Sequence, residues 1–156
     1  MNKKFMSSAI EVARKHCMKY EGGPFGAVVV KNGKVISEGW NTVTTDNDPT
    51  CHAEVNAIRK ACKKLKSYDL SGCELYSSTE PCPMCLGAIY WARPKALYFG
   101  NSRKDAAKIG FDDKFIYDEI KRVPGKREIK TVAGVMAKEA TLLFKEWKKL
   151  PKIKMY

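Results

Sequence analysis

Two short stretches carry the residue types that could do chemistry: Cys51-His52-Ala53-Glu54, and Thr79-Glu80-Pro81-Cys82-Pro83-Met84-Cys85. They hold one imidazole, two thiols and a spare carboxylate, a set suited to a zinc ion with three protein ligands, His52, Cys82 and Cys85. Structural zinc is usually closed by four protein ligands, whereas three leave a tetrahedral position open for water, and zinc brings that water's pKa near 7. Glu54 is not needed as a ligand. It is placed to take the water's proton and deliver it elsewhere, a task that suits a carboxylate whose pKa is raised by partial burial. Two plainer uses compete. Glu54 could be an ordinary acid at a helix start, contributing about 0.3–1 kcal/mol. The C-x-x-C pair with a histidine could be a structural zinc site, although no fourth Cys or His stands nearby.

The elements that must position these groups are legible from periodicity and breakers. Residues 2–20 repeat apolar positions at four (Phe5, Ala9, Ala13, Cys17) and are predicted helical, ending at Glu21-Gly22-Gly23-Pro24; His16 is expected at the surface. Residues 27–31 and 34–39 are β-rich runs joined by Asn32-Gly33, a hairpin signal. Residues 41–47 are predicted to be a polar loop. Asp48 as N-cap and Pro49 as first helical residue predict a helix running to about Leu65, with His52 and Glu54 in its first turns. A strand is expected over 74–77 and a helix over 82–91. Cys82 and Cys85 then share a face at a helix N-terminus, where the dipole favours thiolate. A strand over 95–100, a loop over 101–110, a helix over 112–122, a short strand or extended segment over 129–132 and a helix over 136–150 complete the chain, with Lys152–Tyr156 a tail. Alternating helices and strands predict a three-layer α/β/α sandwich in a single domain of 156 residues.

Composition excludes some classes. No apolar run reaches membrane-spanning length, and the first residues lack the apolar core of a signal peptide, so a cytoplasmic protein is expected. The six cysteines are read as reduced thiols; Cys17, Cys62 and Cys73 are read as small buried apolar residues, with Cys51 directed away from the metal. The net charge is +12, and residues 121–156 hold eleven Lys and Arg against three Glu. Nucleic acid is therefore a conceivable partner, but few aromatics interleave with these lysines and a solvated surface is the plainer reading.

The two chemistry-bearing stretches resemble the cytidine-deaminase-like zinc superfamily, whose signature pairs H-x-E with P-C-x-x-C. Gly22-Gly23-Pro24-Phe25-Gly26-Ala27, Asn47-Asp48-Pro49-Thr50, the run from Cys82 to Arg93, and Gly110-Phe111-Asp112-Asp113 are similar to the small bacterial guanine deaminases over nearly the whole chain. The resemblance implies a mixed five-stranded sheet between helices and hydrolysis of guanine to xanthine and ammonia, through attack of zinc-activated water on the amino-bearing carbon. It implies one Zn2+ per chain on His52, Cys82 and Cys85, with Glu54 as proton shuttle. Phe25 would stack on the purine and Asn41 would hydrogen-bond the ring edge. Main-chain groups near Ala53 would touch the base, and Asp113 would be a second acidic group at the substrate. It also implies a homodimer in which a C-terminal helix and tail (137–156) are swapped between subunits, Trp91 and Tyr156 then walling a neighbour's pocket. Cys51 stands where alanine is common, and the region after Pro124 matches the relatives loosely.

Other readings stay open at this point. A tRNA adenosine deaminase shares the D-P-T-x-H-A-E and E-P-C-x-M-C words and would suit the positive charge, but the chain lacks a K-T-G-A-A-G-like stretch after its last strand. A cytosine or other amino-heterocycle deaminase would need a pocket built for a different ring. A zinc- or RNA-binding module without catalysis would have no use for Glu54.

Overall fold

Ala27-Val28-Val29-Val30 is apolar without alternation, the pattern of a strand covered on both faces. In the computed structural model, which describes residues 2–156, this run lies at the centre of a four-stranded sheet. The chain divides into two compact units, Met1–Asp113 and Lys114–Tyr156. The first contains helix α1 (Lys3–Cys17), strands β1 (Gly26–Lys31) and β2 (Lys34–Trp40), helices α2 (Val43–Asp46) and α3 (Ala53–Leu65), strand β3 (Cys73–Thr79), helix α4 (Pro83–Ala92), strand β4 (Ala96–Asn101) and helix α5 (Arg103–Lys108). The second contains α6 (Lys114–Lys121), a 3-10 turn over Pro124–Lys126, and α7 (Ala137–Trp147).

The sheet order is β2-β1-β3-β4. β1 pairs antiparallel with β2 and β3, while β3 and β4 are parallel with α4 as their crossover, so the sheet is mixed. Period-two alternation sorts the side chains. Val28, Val30 and Tyr76 pack with Phe5, Ala9 and Val12 of α1 on one face. Ala27, Val29 and Leu75 pack with Ala53, Ala57, Ile58 and Ala61 of α3, and with Ile89 and Ala92 of α4, on the other. The expected three layers are therefore present. The expected fifth strand is not: residues 129–132 carry no strand, and four strands form the sheet among the described residues. That segment offers only Ile129 and Val132, spaced by three instead of two, and Pro124-Gly125 and Gly134 flank it.

Local chemistry explains the element ends. Asn2 caps α1 by accepting from the Lys4 amide at 3.0 Å. Asn32 and Gly33 have φ of 49° and 71°, the positive angles that a tight hairpin demands. Three boundaries differ from expectation. The helix predicted from Asp48 begins at Ala53, because the Asp48 carboxylate caps a separate turn, accepting from the Thr50 amide at 2.7 Å. Residues 43–46 form the short α2, closed by Asn47 in the left-handed conformation. Residues 103–108 are helical, held by a capping box in which Ser102 and Asp105 each satisfy the other's backbone amide. His16 is not simply at the surface. Its ring is half-buried, stacks on Trp40 with centroids 3.6 Å apart and pairs with Glu21.

Among the described residues no helix is long and apolar enough to cross a membrane. In the second unit α7 exposes Leu143 and Phe144 from its apolar stripe.

α3 can approach β2 because position 39 is glycine. A Cβ there would sit 2.2 Å from the Ala53 carbonyl oxygen and 2.4 Å from the Ala57 amide nitrogen, both backbone atoms. Gly39→Ala should cost about 2 kcal/mol through overpacking, a fall of roughly 4–8 °C in thermal midpoint for a chain of this length. Differential scanning calorimetry of the variant checks this, and an unchanged midpoint would contradict the packing.

Candidate metal centre and active site

Two helix starts build the site. β2 leads through Asn41 and α2 to His52, the N-cap of α3, and β3 leads through Glu80-Pro81 to Cys82, the N-cap of α4. Both caps have extended backbone, φ −72° and ψ 158° at His52, φ −65° and ψ 168° at Cys82, and neither makes a side-chain capping hydrogen bond. The imidazole and the thiol are thereby available to a third party. Pro83 at the first position of α4 sacrifices no hydrogen bond and fixes the turn that brings Cys85 round.

His52, Cys82 and Cys85 present ligand atoms that all lie within 4.8 Å of one another, and no fourth His, Cys, Asp or Glu joins the group among the described residues. The spacing tests the fit to zinc. Both sulfurs are 3.5 Å from His52 Nδ1. A tetrahedral ion with usual Zn–S and Zn–N distances requires an N···S edge of roughly 3.5–3.6 Å, so both N···S separations suit zinc.

The titratable groups of this cluster shift one another. The Cys82 thiol is drawn down to about 4 by a hydrogen bond with Cys85 and, more weakly, by His52. The same bond and burial push Cys85 up. Hydrogen bonding to Cys82 raises His52. Two helix N-termini pointing at the cluster add positive potential that favours thiolate.

Glu54, the second residue of α3, is 6% exposed, and burial pushes its carboxyl above the ordinary glutamate range. Its Oε1 accepts a hydrogen bond from Ser77 Oγ at 2.8 Å, and Cys85 also contacts the carboxylate. Asp113 is raised as well, by burial first and the Cys82 sulfur second, which places it in the electrostatic reach of the cluster.

The remaining expected residues fall at different places. Phe25 and Asn41 are neighbours at the end of the β1–β2 hairpin, where the Asn41 amide donates to the Phe25 carbonyl at 3.2 Å. Asn41 is buried, and its Oδ1 accepts from the Gly23 and Val43 amides at 3.3 and 3.2 Å. Those two donors settle the amide orientation, so the side chain's NH2 is the end left to recognise an acceptor. Ala53 is fully buried at the first position of α3, beside the cluster. Trp91 is 64% exposed near the far end of α4, roughly 9 Å along the helix axis from Cys85. Tyr156 is exposed in the second unit. Cys51 points away from the cluster, its sulfur 3.3 Å from Asp48 Oδ2.

Two contacts escaped the sequence reading. Ser77 reaches Glu54, and the Phe111 ring meets Phe25 edge-on with centroids 4.9 Å apart. The run Ser77-Ser78-Thr79 at the end of a buried strand was the available signal for the first.

Known proteins are similar to this chain. Guanine deaminase of Bacillus subtilis is 58% identical over 125 residues, 80% of each chain. An X-ray structure of guanine deaminase from Bacillus subtilis superposes with a TM-score of 0.96 at 52% identity, covering 100% of this chain and 99% of that one. The tRNA-specific adenosine deaminase of Haemophilus influenzae is 38% identical over 90% of this chain and 79% of its own. The model of the cytidine and deoxycytidylate deaminase zinc-binding region matches residues 1–101, which include His52, Glu54, Cys82 and Cys85. By its sequence, its fold and the spacing of its three ligand side chains, the chain belongs to the cytidine and deoxycytidylate deaminase zinc-binding family.

Proposed function

We propose that the protein hydrolyses guanine to xanthine and ammonia. The observation that carries this is the end-to-end match to Bacillus subtilis guanine deaminase, TM-score 0.96 over 100% of this chain. A zinc ion on His52, Cys82 and Cys85 would supply Lewis acidity at an open fourth position, making water a nucleophile near neutral pH.

The chain's own residues do the rest. The Glu54 carboxylate takes a proton from the attacking water and gives it to the ring nitrogen beside the amino-bearing carbon. It then carries a second proton to the departing amino nitrogen, so that ammonia leaves and a carbonyl remains. Burial supports this shuttle, because a carboxyl raised toward neutrality both accepts and releases a proton readily. Phe25, braced by Phe111, offers a ring face to the purine. The Asn41 NH2 donates to an acceptor on the ring edge, and the backbone at Ala53 lines the base. Asp113, also raised by burial, is a second acidic group for the leaving amine.

A cytoplasmic homodimer completes the reading. All six cysteines are free, as suits a reducing compartment. The apolar residues exposed on α7 need a cover, and a second copy of the chain supplies it. In that dimer residues 137–156 are exchanged, and Trp91 and Tyr156 border the partner's pocket.

Purified protein offered guanine, guanosine, cytosine, cytidine, adenine and an anticodon stem-loop should release ammonia fastest from guanine. Turnover of another base with none of guanine contradicts the proposal. Glu54→Gln should keep one zinc per chain and lose kcat by at least about 100-fold, read from metal analysis beside the ammonia assay. Cys82→Ala should lose zinc and thermal stability together, read by metal analysis and calorimetry. Removing Lys152–Tyr156 should reduce kcat/KM while leaving the thermal midpoint nearly unchanged; equal losses in both would argue against a pocket-closing tail.

A further inference from the structure

Ser77, Ser78 and Thr79 end the central strand β3, and all three are buried, at 1%, 6% and 6% exposure. A buried hydroxyl costs stability unless it is partnered. Ser78 Oγ accepts from the Gly26 amide at 3.0 Å, a bond that fixes the start of β1. Ser77 sits one residue earlier, so it projects from the opposite face of the sheet, toward α3. There its hydroxyl donates to Glu54 Oε1 at 2.8 Å. The bond spans 23 positions of sequence and joins two elements that each deliver part of the site.

The terminal torsion of a glutamate carboxylate is soft and roughly two-fold. Packing around Glu54 can hold its stem but cannot by itself set which way the two oxygens face. A hydrogen bond from a rigid central strand can. Ser77 also lies five residues before Cys82 on the same strand and turn. One stretch of backbone therefore carries both the thiols and the group that orients the proton carrier, which locks their relative positions.

We infer that Ser77 is a positioning residue whose hydroxyl fixes the rotation of the Glu54 carboxylate, contributing to kcat without taking part in binding the base or the metal. The inference rests on Glu54 as the proton carrier. An apolar residue at position 77 would leave the carboxylate held only by Cys85 and the Glu54 backbone amide, and fewer encounters would find it aligned for proton transfer.

The test compares Ser77→Ala, Ser77→Thr, Ser37→Ala and Glu54→Gln, each measured for kcat, KM, zinc per chain and thermal midpoint. Ser37 is the control, because it is also buried and its hydroxyl donates to the same helix α3, but to the Ala57 carbonyl at 2.7 Å and not to Glu54. Ser77→Ala should lower kcat about tenfold, the worth of one good hydrogen bond, with KM and zinc unchanged. Ser77→Thr should restore most of that loss, and Ser37→Ala should lower the midpoint comparably with kcat unchanged. A Ser77→Ala enzyme with wild-type kcat overturns the inference, as does a loss of kcat that follows zinc content or that Ser37→Ala reproduces. If the extra methyl of threonine unfolds the strand, the two alanine variants still decide. Glu54→Gln separates the two claims. If it is inactive while Ser77→Ala runs at full rate, only the positioning role fails; if it runs at full rate, the proton role fails and takes the inference with it.

Discussion

Everything at the site depends on two helix N-termini being brought to one point by a sheet. His52 and Cys82 are both N-caps, both extended, and both without a side-chain capping hydrogen bond. Most caps use the side chain to satisfy the first free amides of the helix. Here those amides forgo that help, and the imidazole and thiol turn to each other and to Cys85. The local cost is about 1 kcal/mol for each unfilled cap, far below what a bound structural-type zinc contributes to folding. The helix dipoles offset part of it by favouring negative charge on the sulfurs and on Glu54.

The sheet supplies rigidity for this arrangement. β1 and β3 are covered on both faces, and glycine at position 39 lets α3 lie against β2 with backbone nearly touching backbone. That close approach sets the height of Ala53 and Glu54 above the sheet. β3 then carries Ser77 toward Glu54 and continues into Cys82. Glu54 and the His52–Cys82–Cys85 cluster are thus held by neighbouring elements of one packed unit instead of by loops.

Much of this was legible in the chain before any fold. The H-A-E and P-C-x-x-C spacing identified the ligand set because few side chains bind zinc and their geometry is demanding. The hairpin at Asn32-Gly33 followed from the need for positive φ, and the layers followed from periodicity. What was not legible depended on competition between local signals. Asp48 and Pro49 look like a helix start, yet Asp48 spends its carboxylate on the Thr50 turn, and the helix waits until Ala53. The Ser102 capping box was hidden because residues 103–108 lack an apolar stripe. The bond from Ser77 to Glu54 was hidden because a serine in a strand has no fixed partner in sequence. The count of five strands came from resemblance, and residues 129–132, read as a short strand or extended segment, had no alternation to support a strand.

The central claim is that this constellation holds a cation by three protein atoms and no more. X-ray absorption at the zinc edge of the purified protein tests that directly. The account predicts one imidazole nitrogen near about 2.0 Å, two sulfurs near about 2.3 Å, and a single light atom from water. A third sulfur, a second histidine, or no zinc at all would contradict it.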